Sequence, residues 1–153
     1  MNCHNGEKFI DRSLSSVFAQ TYKNFEIIFF DNFSNDNTKK IIKSYRDKRI
    51  YYYRSNKYLK LYDARNKAIK KSKGEYITFL DIDDEWHKEK LKLQINQFRK
   101  NNFDVCYTNY WVVKNNKKKL FKDDIETVDI NNKILNDYPI GILTTMIKSS
   151  IFL

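Results

Sequence analysis

Two apolar runs that each end in an aspartate constrain the fold of this chain more than any other feature. They are FEIIFFD, residues 25–31, and YITFLD, residues 76–81. Continuous apolar runs of this length, without alternation, are typical of central strands that are buried on both faces of a parallel sheet. Ligands bind beyond the carboxyl ends of the strands in such sheets, so the two aspartates indicate one functional edge.

Helical and extended patterns alternate along the rest of the chain, which predicts an α/β fold with a mostly parallel sheet flanked by helices. Helices are predicted within residues 7–20, after the N-cap candidates at 34–38, at 61–73 and around 91–98. Further strands are predicted at 50–54, at 104–113 with a hairpin to 118–121, and at 142–147, and one more short helix around Ile130–Leu135. We find no internal repeat and no linker, so residues 1–153 are predicted to form one domain.

The charge balance is strongly basic, with 29 Lys and Arg against 19 Asp and Glu and a formal net charge of +10. Basic chains attract phosphate-bearing partners such as nucleotides, nucleic acid or anionic lipid headgroups. The lysines are spread along the chain, however, and no nucleic-acid-binding signature accompanies them. Apolar residues make up 41% and aromatic residues 16% of the chain, which excludes a disordered protein.

Targeting signals and cysteine motifs are missing from the sequence. No apolar run approaches the roughly 20 residues that cross a bilayer, and MNCHNGEKFI lacks the layout of a secretion signal. Cys3 and Cys106 have no CxxC partner, so they are interpreted as free thiols in a reducing compartment. These features predict a cytoplasmic protein.

Three carboxylates crowd into the segment FLDIDDEW, at Asp81, Asp83 and Asp84. They repel one another at neutral pH, and two explanations of the crowding are open. The acids either cap the helix that follows them or hold a cation. Capping alone would explain an isolated DDE; the position after a buried strand favours the cation.

Two long segments together resemble the nucleotide-sugar-binding half of family-2 glycosyltransferases, inverting enzymes with the GT-A fold. They are NGEKFIDRSLSSVFAQTYKNFEIIFFDNFSNDNT and ARNKAIKKSKGEYITFLDIDDEW. The similarity is weaker but present at GILTTMIKSSIF. The resemblance implies transfer of a sugar, with inversion, from a nucleotide-diphosphate sugar such as a UDP-sugar to a glycan or lipid-linked acceptor.

The same resemblance implies a metal site. The family's D-x-D motif corresponds to Asp81-Ile82-Asp83, with Asp84 beside it. Carboxylate oxygens suit Mn²⁺ or Mg²⁺, which take their other ligands from water and substrate phosphates. Such an ion offsets the charge that develops on the departing nucleotide.

Four further residues match positions that the family uses for the nucleotide. Asp31 and Asn32 lie where the family usually has two acids, the second of which meets the uracil imide; the amide of Asn32 can both accept and donate there. His4 occupies a position where an aromatic ring often stacks on the base. Arg65 aligns with an arginine near the nucleotide and is suited to phosphate or to a base edge.

The resemblance fails at both ends of the sequence. Family members begin with an apolar strand before the segment that matches NCHNGEKF, so the sheet is expected to lack a central strand. The family's acidic pair, one member of which is the general base, would follow the region matching GILTTMIKSSIF. The acids Asp123, Asp124 and Glu126 stand in a context that does not match, so no catalytic base is assigned. Three explanations stay open: a truncated reading frame, a fragment, or one part that a partner chain completes.

Three functions compete on these grounds. The first is a metal-dependent glycosyltransferase, and the second is a non-catalytic nucleotide-diphosphate binder with the same site. The third is a basic protein that binds nucleic acid or membrane surfaces, and we expect no nucleic-acid partner. The basic charge would also suit an enzyme in peripheral association with the inner face of an anionic membrane, where lipid-linked acceptors reside.

Overall fold

The computed structural model of this protein describes residues 1–115, 117–121 and 140–152. Its helices are α1 Ile10–Phe18, α2 Thr38–Ser44, α3 Leu61–Ile69 and α4 Lys90–Lys100. Its strands are β1 Asn2–Cys3, β2 Ile27–Asp31, β3 Ile50–Arg54, β4 Tyr76–Thr78, β5 Val105–Cys106, β6 Tyr110–Lys114, β7 Lys117–Phe121 and β8 Met146–Lys148. Single 3₁₀ turns at Ile142–Thr144 and Ser149–Ile151 flank β8.

The strands form two adjacent sheets and a separate hairpin. One sheet is parallel in the order β1-β2-β3, and the other is antiparallel in the order β4-β8-β5. A parallel bridge between Asn2 and Asp81 joins β1 to the segment that follows β4. The chain is therefore α/β with a parallel core, as predicted.

The first core lies between β2 and α1. All five residues of β2 are buried, because helices and neighbouring strands surround it. Ile27 and Phe29 pack in the cluster that includes α1, and α3 contacts the strand as well. Ile10, Leu14 and Val17 recur at helical spacing, so they form one stripe of α1 that packs on Phe29. At about 25 cal/mol per Å² of apolar surface, each such side chain contributes on the order of 2 kcal/mol.

Several predicted elements are shorter in the structure than the sequence indicates. The helix predicted at 61–73 ends at Ile69, where the Ser72 hydroxyl donates to the Ile69 carbonyl at 2.6 Å and closes a turn. The extended segment at 104–113 divides into β5 and β6. The predicted hairpin is confirmed, with Asn115 in its turn at a φ of 50°.

The strand predicted at residues 142–147 is wrong in its first half. Residues 142–144 form a 3₁₀ turn, and the strand begins only at Met146. Threonine hydroxyls explain the difference, since Thr144 donates to the Gly141 carbonyl at 2.6 Å and Thr145 to the Ile142 carbonyl at 2.8 Å. These local bonds compete with the strand ladder.

Two other predictions, one for residues 123–135 and one for the N-terminal strand, have different outcomes. The short helix predicted around Ile130–Leu135 lies outside the described residues, as do Asp123, Asp124 and Glu126. At the other end, Asn2 and Cys3 do form a parallel strand on β2, although it is only two residues long. No helix in the described part of the chain has the length and apolar character to cross a membrane.

Candidate functional site

The carboxyl ends of the parallel strands lie along one edge and carry the predicted site residues. Strand register places Cys3 beside Asp31, and Asn2 beside Asp81. Because neighbouring strands are about 4.8 Å apart, the backbones of Asp31 and Asp81 lie about 10 Å apart with β1 between them. His4 leaves β1 in the gap between the two acids. The ends of β1 and β2 and the segment after β4 therefore meet where parallel sheets bind ligands.

Asp31 is fully buried at the end of β2. Its Oδ1 accepts the backbone N–H of Ser34 at 2.8 Å, and its Oδ2 accepts the Tyr52 hydroxyl at 2.6 Å. Arg54 lies 3.5 Å from the same carboxylate. Burial, and then this bond to Asp31, raises the pKa of Tyr52 above its ordinary range. One oxygen of Asp31 thus holds the loop that follows β2 and the other binds side chains of β3, so this acid positions the site.

Asn32 is buried and pairs with the backbone of Leu59. Its Oδ1 accepts the Leu59 N–H at 2.9 Å, and its Nδ2 donates to the Leu59 carbonyl at 2.9 Å. This is the donor and acceptor pattern that a pyrimidine imide would present to the amide. A base can hydrogen-bond to the Asn32 amide only if the Leu59 backbone first moves away from it.

His4 and Tyr58 form an exposed aromatic pair beside Asn32. Their ring centroids are 4.8 Å apart at an interplanar angle of 67°. The Nδ1 of His4 donates to the backbone oxygen of Asn32 at 2.9 Å, which fixes the ring. Tyr58 is 61% exposed, so the pair offers an accessible aromatic surface for a base. Tyr58 was not predicted from the sequence; its signal is an isolated aromatic residue in a polar segment just after a strand.

The loops after β1 and β2 are tied together by side-chain to backbone hydrogen bonds. The Gly6 N–H donates to Thr38 Oγ1 at 3.0 Å, and the Asn5 N–H donates to Ser34 Oγ at 2.9 Å. A Cβ at Gly6 would lie 2.4 Å from the Cys3 Sγ, so only glycine fits there. The polar turn predicted for DNFSNDNT is therefore the scaffold of this edge.

Arg65 extends from α3 to Asp81 and forms an ion pair with it at 2.7 Å. Its Nη2 donates to both carboxylate oxygens, at 2.9 and 2.7 Å. Both side chains are partly exposed, at 20% and 30%. The guanidinium thus lies beside the acids, where it also meets the requirement for a cation near a diphosphate.

Asp83 and Asp84 occupy the turn after Asp81. The Asp84 N–H donates to the Asp81 carbonyl at 3.1 Å and closes the turn. Arg12 of α1 holds the same loop, because its Nη2 donates to the Asp83 backbone oxygen at 2.7 Å and its Nε pairs with Glu85 at 3.1 Å. Arg12 is a second residue that the sequence reasoning missed.

The electrostatics of this turn fit a divalent cation. Burial, followed by the charges of Asp83 and Asp81, raises the pKa of Asp84, and a cation would relieve that repulsion. Asp83 is exposed, and its side chain is free to turn to a ligand. Within the described ranges, no three acidic, histidine or cysteine side chains converge into a preformed metal cluster. Mg²⁺ and Mn²⁺ sites with one or two carboxylates and a substrate diphosphate need no such cluster.

Sequence comparison assigns the chain to a family. The profile of Glycosyl transferase family 2 matches residues 1–150. This chain is a member of glycosyl transferase family 2. The resemblance inferred from the sequence motifs is thereby confirmed.

Curated relatives of this family 2 chain come from bacteria. It is 37% identical over 153 residues to "UDP-Glc:alpha-D-GlcNAc-diphosphoundecaprenol beta-1,3-glucosyltransferase WfgD" of Escherichia coli, covering 99% of this chain and 59% of WfgD. It is 31% identical over 150 residues to "Putative teichuronic acid biosynthesis glycosyltransferase TuaG" of Bacillus subtilis, covering 94% of this chain and 58% of TuaG. The chain thus spans little more than half the length of these two relatives.

Solved structures share the fold of this family 2 chain. Residues 1–349 of TarS from S. aureus match with a TM-score of 0.81 and 26% identity, over 98% of this chain and 46% of that one. The same part of TarS in complex with UDP-GlcNAc matches equally well in fold, with a TM-score of 0.81. The predicted GT-A fold is confirmed, and this chain covers part of it.

Proposed function

We propose that this family 2 chain binds a UDP-sugar together with Mn²⁺ or Mg²⁺ and forms the donor-binding part of an inverting glycosyltransferase. The observation that carries the proposal is the meeting of four polar segments at one edge of the parallel sheet. These are His4 after β1, Asn32 after β2, Arg65 on α3 and the acids that follow β4.

Each group of residues at this edge of the sheet is suited to bind one part of the UDP-sugar. The exposed pair of His4 and Tyr58 offers a stacking surface for the base, next to the amide of Asn32. Asp83 and Asp84 are the carboxylates available to a divalent ion, since Asp81 is already paired with Arg65. Such an ion, when bound, supplies charge neutralisation at the diphosphate leaving group. Arg65 adds a second positive charge on the same side.

The donor and acceptor that we propose for this chain are inferred from its relatives. WfgD is named for UDP-Glc and for a diphosphoundecaprenol-linked sugar, and TarS has been solved with UDP-GlcNAc. A UDP-sugar donor and a lipid-linked acceptor are therefore the substrates proposed for this chain. The net charge of +10 is consistent with an anionic, lipid-linked acceptor at a membrane surface.

Calorimetric titration of UDP in the presence of Mn²⁺ tests the binding step. We expect binding that is lost on chelation with EDTA and weakened at least about 10-fold by Asp83→Asn or Asp84→Asn, because each removes charge from the cation. Asp104→Asn is the matched control. That acid is exposed and precedes β5, at the opposite end of the strands, where it pairs with Lys148. No heat of binding for the unmodified chain with Mn²⁺ present would refute the proposal.

Turnover separates the transferase from a binder that lacks acceptor chemistry. An acceptor hydroxyl needs a general base, and loss of that base typically costs on the order of 10²–10⁴-fold in rate. The chain is incubated with UDP-glucose, Mn²⁺ and a lipid-diphosphate-linked N-acetylglucosamine, and released UDP is measured. Release above the protein-free rate supports transfer or donor hydrolysis by this chain. Tight UDP binding with no release supports the binder.

A further inference from the structure

The hairpin of β6 and β7 follows β5 at the edge of the molecule that carries the candidate site. Strand β8 pairs with both β4 and β5, and its Met146 lies beside Thr78 on one side and Cys106 on the other. Because β8 is antiparallel to both strands, β4 and β5 run in the same direction, about 10 Å apart. The chain therefore leaves β5 towards the same edge as Asp81, which follows β4.

One face of this hairpin is apolar and open to solvent. Every described residue from 111 to 121 is exposed. In the register of the hairpin, Trp111 lies opposite Leu120, and Val113 lies opposite Lys118. Residues that lie opposite each other share a face, so these four side chains form one face of the hairpin, the Trp111 face. Trp111 is 59% exposed and Val113 is 61% exposed.

The opposite face of the hairpin meets the rest of the protein at its base. There the rings of Tyr110 and Phe121 stack, with their centroids 4.8 Å apart. The Tyr110 ring also lies against Gly141, where a Cβ would be 3.6 Å from it. Because successive side chains of a strand point to opposite sides, the Trp111 face points away from the body of the protein.

The hairpin is also strongly basic. Residues 105–122 include five lysines and no acidic residue. Four of these lysines lie on the described hairpin, and all four are exposed: Lys114, Lys117, Lys118 and Lys119. Lysine side chains are long enough to carry their ammonium groups to the rim of a two-stranded ribbon. An exposed apolar face with a basic rim complements an anionic lipid surface, which accepts apolar side chains, an indole ring and ammonium groups.

The side chains of the Trp111 face favour lipid over nucleic acid. Proteins bind single-stranded nucleic acid through aromatic rings on which successive bases stack. Trp111 is the one ring among the four residues of this face, and the rings of Tyr110 and Phe121 are stacked on each other. Val113 and Leu120 give a base no ring to stack on, whereas both suit the boundary between headgroups and acyl chains.

We propose that the β6–β7 hairpin docks the protein on anionic bilayers, with the Trp111 face in the headgroup region and the lysines of the hairpin against lipid phosphates. The docking brings the edge that carries the donor site to a surface that holds lipid-linked acceptors. In this purpose the proposal rests on the proposed function, whereas the lipid binding itself does not require it.

Co-sedimentation of the full chain with lipid vesicles tests the docking. We expect binding to vesicles of phosphatidylglycerol and phosphatidylcholine in equal parts, little binding to pure phosphatidylcholine, and weaker binding as salt is added. Replacing Lys117, Lys118 and Lys119 together by Gln should weaken binding at least about 30-fold. The matched control replaces three exposed lysines of α2 by Gln, namely Lys39, Lys40 and Lys43. Equal losses in the two triple variants would overturn the proposal, because net charge alone would then explain the binding.

A comparison of two neighbouring valines tests which face of the hairpin meets the lipid. Val113→Ser, on the Trp111 face, should weaken vesicle binding about 3-fold, and Trp111→Ser at least about 10-fold. Val112→Ser, an exposed change on the opposite face of the same strand, should leave the binding unchanged. Equal effects of the two valine substitutions would contradict the docking of the Trp111 face.

Tryptophan fluorescence keeps the proposal testable if a variant folds poorly. Anionic vesicles should shift the emission of the unmodified chain to shorter wavelengths, and brominated acyl chains should quench it. Trp111→Phe, which retains Trp86, should show neither effect. Unchanged emission of the unmodified chain would overturn the proposal. Tighter binding to a single-stranded RNA than to anionic vesicles, or a stable dimer that Trp111→Ser dissociates, would overturn it as well.

Calorimetric titration of UDP with Mn²⁺ present separates this proposal from the donor site. The variant without lysines at 117–119 should bind UDP as the unmodified chain does, because the hairpin is not part of that site. Loss of UDP binding in this variant would overturn the docking role, since the lysines would then serve the donor. Vesicle binding without UDP binding would refute only the proposed function, and UDP binding without vesicle binding would refute only the docking.

Discussion

Asn32 holds the loop that carries Tyr58. Both hydrogen-bonding groups of its amide are used by the Leu59 backbone, and the residue is 5% exposed. The sequence predicted that this amide accepts from and donates to a nucleotide base. It could not indicate that a backbone segment of the same chain takes that edge, because the pairing joins residues 27 positions apart.

Asn32→Asp tests this pairing. The substitution replaces the donor to the Leu59 carbonyl with a second oxygen, so the free energy of unfolding should fall by about 1–3 kcal/mol at neutral pH. The loss should shrink when the pH is lowered through the pKa of the new carboxyl group, because the protonated acid donates again. Denaturant titrations at several pH values measure both effects. The control is Asn56→Asp, an exposed substitution in the loop that carries Leu59. A similar loss of stability in that variant would contradict the role of the Asn32–Leu59 pairing.

Lys90 gives the stability of the protein a predictable pH dependence. Its Nζ is buried and donates to Gln94 Oε1 at 2.7 Å and to Thr78 Oγ1 at 3.0 Å. Burial lowers its pKa from 10.5 to about 7. Between these values the unfolded chain binds a proton that the folded chain does not, so stability rises with pH, by at most about 1.4 kcal/mol per pH unit.

The free energy of unfolding is therefore expected to rise by about 1.5 kcal/mol between pH 7 and 8.5 because of this lysine. Lys90→Met should remove that part of the slope, whereas Lys92→Met on the exposed face of α4 should keep it. The window ends before pH 9, because burial raises the pKa of Cys3 from 9.0 to about 11, and above pH 9 the loss of stability from that thiol offsets the gain from Lys90. Equal slopes for the two variants would refute the role of Lys90.

At the scale of elements, β1 and its following loop are held by close packing around Gly6. The space for a Cβ there is occupied by the Cys3 Sγ, 2.4 Å away, and by Ile82 from the turn after β4 at 3.0 Å. The glycine thus permits the loop after β1 to approach the loop that carries the acids.

Gly6→Ala is expected to cost about 1–3 kcal/mol of folding free energy through overpacking. Combining it with Cys3→Ala removes the sulfur and should recover part of that loss, giving a favourable coupling energy in a double-mutant cycle. Thermal or denaturant unfolding of the four proteins measures it. Additive losses would show that the sulfur is not the group that excludes a side chain.

The sequence predicted strands more reliably where long-range burial dominates than where local hydrogen bonds compete. The apolar run of β2 shows in the sequence because all five of its residues are buried, and burial on both faces demands apolar residues at every position. Residues 142–145 have similar apolar character, yet threonine hydroxyls turn them into a 3₁₀ segment. The roles of Tyr58 and Arg12 depend on tertiary neighbours, and so their contacts could not be read from local patterns.

At the scale of the whole molecule, the parallel sheet orders the candidate site. Strand register brings His4, Asn32 and Asp81 to one edge, although they are far apart in sequence. The sequence indicated that edge because two apolar runs end there in aspartate. It did not indicate that Asp81 is paired with Arg65, which leaves Asp83 and Asp84 as the carboxylates available to a cation.

Paramagnetic broadening of backbone amide signals by Mn²⁺ tests the central claim most directly. With UDP present, substoichiometric Mn²⁺ is expected to broaden the amides of Asp83 and Asp84 most strongly, then those of Asn5 and Arg65, and to spare Val105. Without UDP the broadening should be much weaker, because the diphosphate supplies part of the coordination. Broadening centred on another acidic segment, or unaffected by UDP, would contradict a donor site at the carboxyl ends of β1, β2 and β4.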